Sequence, residues 1–185
     1  MMRIVVSTCR EPSRRIRSFS NELAKALPEA IRVNRGKFPL KELARIALDF
    51  GAYALILIGS FKGNPGKIVI YRIEELRYYK IPPTIYIKGV KLLREMHKKS
   101  PLPIVKSLFV ICKEDEPDFV KEFSETLASA IKMPYLEISN FKEVLESVDV
   151  LLLTSYMHRG YLVIEFLNGR DLKPAGPLIR IRRVQ

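Results

Sequence analysis

Phe19-Ser20-Asn21-Glu22-Leu23-Ala24-Lys25-Ala26-Leu27 and Phe123-Ser124-Glu125-Thr126-Leu127-Ala128-Ser129-Ala130-Ile131 are the two stretches on which the fold turns. Five of the nine positions are identical, and the ninth exchanges Leu for Ile. The offset is 104 residues, and it also lays Ile4-Val5-Val6 on Leu108-Phe109-Val110, an apolar strand before each helix. Two amphipathic helices can resemble each other by chance. A strand and a helix sharing one offset make chance the weaker account. The sequence therefore predicts an internally duplicated α/β protein, with an N-terminal half over 1–97 and a C-terminal half over 104–185.

Working outward, Ile16, Phe19, Leu23 and Leu27 form one apolar stripe at helical spacing. This predicts a strand over Arg3–Ser7 and a helix from about Ser13 to Leu27. Ala30–Val33 reads as a short strand. Pro39 suits the first turn of a second helix, which Gly51 ends. Tyr53–Gly59 reads as a buried strand, Asn64-Pro65-Gly66 as a turn, and Lys67–Ile73 and Thr84–Lys88 as partner strands. The second half repeats the order: a strand over Lys106–Cys112, a helix over Pro117–Ile131, an extended Tyr135–Ile138, and a short helix over Phe141–Ser147. A buried strand follows over Val148–Ser155, then a turn at His158-Arg159-Gly160 and strands over Tyr161–Leu167 and Leu178–Arg182. Each half is thus of β-α-β-α-β-β type. His97–Pro103 reads as the join, because its prolines disfavour continued helix.

Composition bounds the function. With 185 residues, 48% of them hydrophobic, the chain can bury a substantial core. No apolar run approaches the roughly 20 residues that span a bilayer, and the N-terminus lacks a signal-peptide pattern. No membrane association is expected. Two cysteines, Cys9 and Cys112, make no disulfide framework, so a reducing cytoplasm is the simplest address. The net charge of +12 is informative because it is segregated. Residues 1–41 carry +7, 42–105 carry +6, 106–155 carry −5 and 156–185 carry +4. Segregation favours a binding surface over general solubility.

Several chemistries deserve weighing. Cys9-x5-Arg15 sits between a strand and a helix, where a thiolate, backbone N–H groups and an Arg can meet a phosphate, as in low-molecular-weight tyrosine phosphatases. Against this, Glu11 puts a negative charge into the cradle, Pro12 removes a donor, and no glycine permits a tight nest. Gly59–Lys67 has Phe61 and Ile68 where a P-loop needs Gly and Ser or Thr, so a hairpin turn is expected there. His97 and His158 stand apart from any ligand cluster, and no metal spacing is present. Glu114-Asp115-Glu116 with Asp118 suits a helix N-terminus, and Glu74-Glu75 suits solvated surface.

The basic cluster is harder to dismiss. Arg10, Arg14, Arg15 and Arg17 crowd the start of the first helix, where cations oppose the macrodipole. With Ile16 inward, Arg14 points outward and Arg15 and Arg17 flank it. Accepting that cost points to a polyanionic partner, and the planar Arg fork suits phosphate. Arg35 and Lys37 add charge in the next loop, and Arg180, Arg182 and Arg183 form a second cluster. The second half has Asp118, Phe119 and Lys121 at the positions matching Arg14, Arg15 and Arg17, so its helix start has lost this charge.

Ser7-Thr8-Cys9-Arg10-Glu11-Pro12-Ser13-Arg14-Arg15, then Phe19, Glu22-Leu23, Pro28 and Asn34-Arg35-Gly36, resemble the start of a Brix domain. The usual pattern is Thr-Ser-Arg-x-Pro-Ser followed by a helix and an Asn-Arg-Gly loop. Cys9 replaces the common Ser. Gly63-x-Pro65 with its following strand also fits, and Gly176-Pro177-Leu178-Ile179-Arg180 is similar to the family's closing Gly-Pro motif. Leu178 stands where the family often has Arg. The likeness is greatest to the branch associated with small-subunit ribosomal RNA maturation, and the chain has the size of an archaeal member. The resemblance implies one Brix domain over 1–185, each half similar to the anticodon-binding domains of class IIa aminoacyl-tRNA synthetases. It implies a non-enzymatic factor that binds pre-ribosomal RNA during processing and assembly; no cofactor is expected, and the chain is expected to be a cytoplasmic monomer. The RNA-binding residues expected are Arg10, Arg14, Arg15, Arg17, Arg35, Lys37, Arg180 and Arg182. The acidic second half is expected to face ribosomal or other assembly proteins. A phosphatase-like enzyme at Cys9 and Arg15, and a module binding acidic proteins, stay open as alternatives.

Overall fold

The computed structural model describes residues 3–75, 77–96, 104–157 and 160–185. The expected join at His97–Pro103, and His158 and Arg159 of the expected turn, lie outside the described residues. The first half contains β1 (Arg3–Thr8), α1 (Arg14–Ala26), β2 (Ala30–Arg32), α2 (Leu40–Asp49), β3 (Ala52–Phe61), β4 (Asn64–Ile73) and β5 (Tyr78–Lys91). The second contains β6 (Leu108–Lys113), α3 (Asp118–Ile131), β7 (Tyr135–Ile138), β8 (Val150–Met157), β9 (Tyr161–Asn168) and β10 (Leu178–Val184). The architecture is mixed α/β, as the sequence predicts.

Both long helices form where the apolar stripe falls. Ser13 caps α1, its Oγ accepting from the Ile16 N–H at 3.2 Å. Ile16, Phe19, Ser20, Leu23, Ala24, Ala26 and Leu27 are buried on it. The buried residues of α3 are Val120, Phe123, Ser124, Leu127, Ala128, Ala130 and Ile131, each 104 positions later. α2 is shorter and buries Leu43, Ala44 and Ala47.

The ten strands form one sheet in the order β2-β1-β3-β4-β5-β10-β9-β8-β6-β7. β1 lies parallel between β2 and β3, and β6 lies parallel between β7 and β8. All other neighbours are antiparallel. β5 and β10 join the halves, from Leu178↔Lys91 to Val184↔Ile85. Five reversals separate β3 from β8. The two parallel triplets therefore point their C-terminal ends to opposite ends of the sheet.

One face of the sheet carries α1 and α3, packed on Ile56, Ile68, Ile70, Ile85, Ile164 and Ile179. α2 covers the opposite face at β1 and β3, where it packs on Val5 and Leu55. At the far edge of that second face, Ile138, Val144 and Val148 cover Ile111, Leu151 and Leu153. Between them, α2 reaches only the end of β4 and the start of β5, at Ile73 and Tyr78, and over the rest of the second face of β4, β5, β10 and β9 no helix lies among the described residues.

Three expectations change. The short helix over Phe141–Ser147 is a single 3-10 turn, Phe141–Glu143. Asn140 and Glu143 cap it reciprocally, and Glu146 follows with φ +64°, so no room remains to propagate a helix. The turn expected at Asn64-Pro65-Gly66 sits two residues earlier. Lys62 and Gly63 have φ +49° and +76°, the both-positive geometry whose twist matches a hairpin. Asn64 and Pro65 pair with Phe61 and Ser60, and a register shift follows at Ser60/Gly59. Finally, the strand expected at Thr84–Lys88 runs from Tyr78 to Lys91, through Pro82 and Pro83. Those prolines lie in a register shift, between Ile70↔Ile81 and Ile68↔Ile85, where no ladder donor is needed.

Candidate nucleic-acid interface

The β1–α1 loop, the β2–α2 loop and the β3–β4 hairpin all leave the same end of the sheet, because β1, β2 and β3 are parallel. Arg10 and Arg14 belong to the first, Arg35 and Lys37 to the second, and Lys62 to the third. Loops at the carboxyl ends of parallel strands are where α/β folds commonly bind ligands. Ser7 ties two of these loops together, its Oγ donating to the Val33 carbonyl at 2.8 Å. Ser13 ties the hairpin to the start of α1, donating to the Gly63 carbonyl at 2.6 Å.

The arginines of α1 separate into two kinds. Arg10, Arg14 and Arg17 are exposed and make no ion pair among the described residues. Arg15 grips Glu95 through two bonds of 2.6 and 3.0 Å and donates to the Val90 carbonyl at 3.0 Å. That grip holds the Glu95 carboxyl below the usual range, helped by the Leu92 N–H. Arg15 thus ties α1 to the chain after β5. Arg35 folds back onto its own loop, donating to the Phe38 carbonyl at 3.1 Å, while Lys37 is exposed.

Arg180 and Arg182 are exposed on β10, alternating with buried Ile179 and Ile181 that face the helices. They therefore belong to the helix-free face. Arg182 reaches the hairpin there, 5.5 Å from the centre of the Phe61 ring. The Phe61–Gly63 tip thus links the C-terminal cluster to the start of α1. Sequence reasoning placed Arg183 in the C-terminal cluster but missed Lys67, Tyr86, Lys88 and Tyr161 on this face. Lys67, Tyr86 and Arg183 are direct cross-strand neighbours on β4, β5 and β10. Arg183 lies 4.4 Å and Lys67 5.0 Å from the Tyr86 ring centre. Contact with these cations holds the Tyr86 hydroxyl below its ordinary pKa. Lys88 lies 3.5 Å from the Tyr161 ring centre. The available signal was alternation: Tyr86 and Lys88 alternate with Ile85 and Ile87 along β5. That pattern marks an outward face, and only strand pairing shows which outward faces converge.

The second half presents the opposite charge at the opposite end of the sheet. Glu114, Asp115 and Asp118 are exposed where β6 leads into α3. Phe119 stands 47% exposed beside Tyr156, with ring centres 5.1 Å apart.

No family model matches the chain. A protein of Aeropyrum pernix, named a probable Brix domain-containing ribosomal biogenesis protein, is 31% identical over 182 residues, which is 95% of this chain and 93% of that protein. The chain belongs to the Brix domain family. A Brix protein of the same description from Pyrococcus horikoshii is 30% identical over 190 residues, 97% of this chain and 83% of its own length. A crystal structure of the probable ribosomal biogenesis protein from Aeropyrum pernix superposes with a TM-score of 0.82 at 31% identity, covering 98% of this chain and 96% of that one. The structure of Mil, an archaeal Imp4-like protein, shares the fold at a TM-score of 0.69 and 21% identity, with 98% of each chain covered.

Within this Brix chain, the Cys9 loop is not arranged as an anion cradle. The Cys9 N–H is spent on the Ile58 carbonyl at 2.8 Å, Pro12 offers no N–H, and Arg15 is engaged by Glu95. Gly176 of the Gly-Pro motif has a packing role. A Cβ there would lie 2.8 Å from both Ala26 Cβ and Phe166 Cβ, one from each half. No helix among the described residues is long and apolar enough to cross a membrane.

Proposed function

We propose that this chain is a non-enzymatic RNA-binding factor of ribosome biogenesis that holds pre-ribosomal RNA during processing and subunit assembly, in the cytoplasm. The names of its relatives place them in ribosome biogenesis. One observation carries the RNA assignment: exposed Arg10, Arg14, Arg17 and Lys37 gather at one end of the sheet with no carboxylate paired to them among the described residues. A merely soluble surface interleaves its signs. Unpaired cations gathered on one side suit a polyphosphate backbone, whose contacts set position rather than read sequence. Arg35, Arg180 and Arg182 flank that surface, and Arg15 serves it by fixing the angle of α1.

We read the two halves as copies of one unit, the kind that class IIa synthetases use to bind anticodons. The 104-residue offset of the buried helix positions and the mirrored strand order support this. On the same reading they form one domain, a monomer, joined through β5 and β10. The acidic end with Glu114, Asp115 and Asp118 is the proposed contact for basic ribosomal or assembly proteins.

The test is anisotropy with single-stranded ribosomal RNA fragments across a salt series. Affinity should fall with a slope of about −0.7 per neutralised phosphate. Changing Arg14 and Arg17 together to Ala should flatten that slope by about 1.4 while leaving the fold intact. Wild-type protein that binds no RNA at low salt would end this reading.

A further inference from the structure

We infer that the helix-free face of β4, β5, β10 and β9 is a track on which single-stranded RNA lays its bases. The inference rests on the RNA-binding reading above and adds where, and by what chemistry, the bases are held.

A sheet face left without a helix is ordinarily polar throughout. This one alternates rings and cations. Phe61 is 52% exposed, with Lys62 at 5.7 Å and Arg182 at 5.5 Å from its ring centre. Tyr86 lies between Lys67 and Arg183, and Tyr161 lies under Lys88. None of these five cations is in an ion pair among the described residues. They cover the rings in the free protein, and a phosphate backbone offers them a stronger partner. Drawing them to phosphates uncovers the π-faces at the places where bases arrive. Glu165 lies on the β9 side of this face, where burial pushes its carboxyl up.

The dimensions and shape select single strands. Four strands at about 4.8 Å spacing make a platform roughly 14 Å wide, comparable to the four-stranded sheets on which aromatic residues stack two or three bases. A duplex keeps its bases stacked inside and cannot present them to rings that lie flat on a sheet. An acidic protein would satisfy the cations but would leave the rings without stacking partners.

The experiment compares a 12-nucleotide oligouridine with polyphosphate, a polyanion without bases. Phe61→Leu and Tyr161→Leu should each weaken oligouridine binding by about five-fold or more. Polyphosphate binding should stay within about two-fold, since both variants retain every cation. Tyr161→Phe keeps the ring and should bind as wild type, which separates stacking from damage to the fold. The chain has no Trp. Oligouridine should therefore quench tyrosine emission directly, and less so in Tyr161→Leu. Leu variants that bind oligouridine as wild type, while Arg14→Ala with Arg17→Ala loses it, would overturn the track and leave the RNA reading standing. Competition by duplex RNA or polyglutamate as strong as by oligouridine would overturn the assignment to single strands. Wild-type protein that binds no RNA would remove both.

Discussion

Replacing Gly176 with Ala should loosen the contact between the two halves. The new Cβ would stand 2.8 Å from Ala26 Cβ, 2.8 Å from Phe166 Cβ and 2.9 Å from Phe166 Cγ. Unstrained carbon contacts lie at about 3.5–4.0 Å, so the site is short by about 0.7–1.2 Å. None of those atoms is the free end of a flexible chain. Ala26 ends α1, and Phe166 is a buried ring on β9. Relief therefore requires the helix of the first half to lift from a strand of the second. Overpacking of this kind costs about 1–3 kcal/mol. Unfolding entropy of about 2.1 cal/mol/K per residue converts this, for 185 residues, to a fall in Tm of about 3–8 °C. Thermal melts followed by circular dichroism would measure it. Ala26→Gly removes one clashing methyl, so the double variant should be less destabilised than the sum of the single changes. A Gly176→Ala protein that melts within about 1 °C of wild type, or a strictly additive double variant, would refute the close approach.

Three further outcomes are expected. Arg15→Ala and Glu95→Ala should each lower stability, and a double-mutant cycle should give a coupling of about 0.5–1 kcal/mol because both side chains are a third exposed; a cycle with no coupling would make the pair incidental. Burial raises the Glu165 pKa above its unfolded value, so its ionisation opposes folding once pH rises past the ordinary carboxylate range. Glu165→Gln should therefore melt higher than wild type at pH 7 and converge with it near pH 3, and a pH-independent difference would contradict that cause. Asp149 is shifted the other way, because the Lys106 and Ser107 N–H groups and the Ser107 hydroxyl donate to its carboxylate. Its contribution is present above the ordinary Asp pKa and is lost as pH falls through the depressed folded value. Asp149→Asn should cost about 1–2 kcal/mol at pH 7 by denaturant titration and little at pH 2.

Local chemistry made much of the fold legible. Ile16, Phe19, Leu23 and Leu27 are spaced for one helix face, and that face is the one that α1 buries. Tyr135–Ile138 appears as a strand with the bounds expected of it. The misplacements fall where backbone geometry outweighs residue type. Asn64-Pro65-Gly66 has turn composition, but the hairpin closes at Lys62-Gly63, where two positive φ angles match the strand twist. Phe141–Ser147 has helical composition and too few residues to repay nucleation.

The site divides along the same line. The crowding of Arg10, Arg14, Arg15 and Arg17, and its replacement by acid at Asp118, are properties of the sequence alone, because charge and short-range spacing need no fold. Which of those arginines is free was decided by tertiary structure. Glu95, 80 residues away, claims Arg15 and leaves Arg14 and Arg17 exposed. The same holds for the second cluster. A charged strand at the C-terminus carries no sign of what lies beside it. Pairing β10 with β5 sets Arg183 against Tyr86 and brings Arg182 to Phe61. Register between distant strands follows from the whole buried pattern, so the convergence of rings and cations on one face exists only in the folded chain.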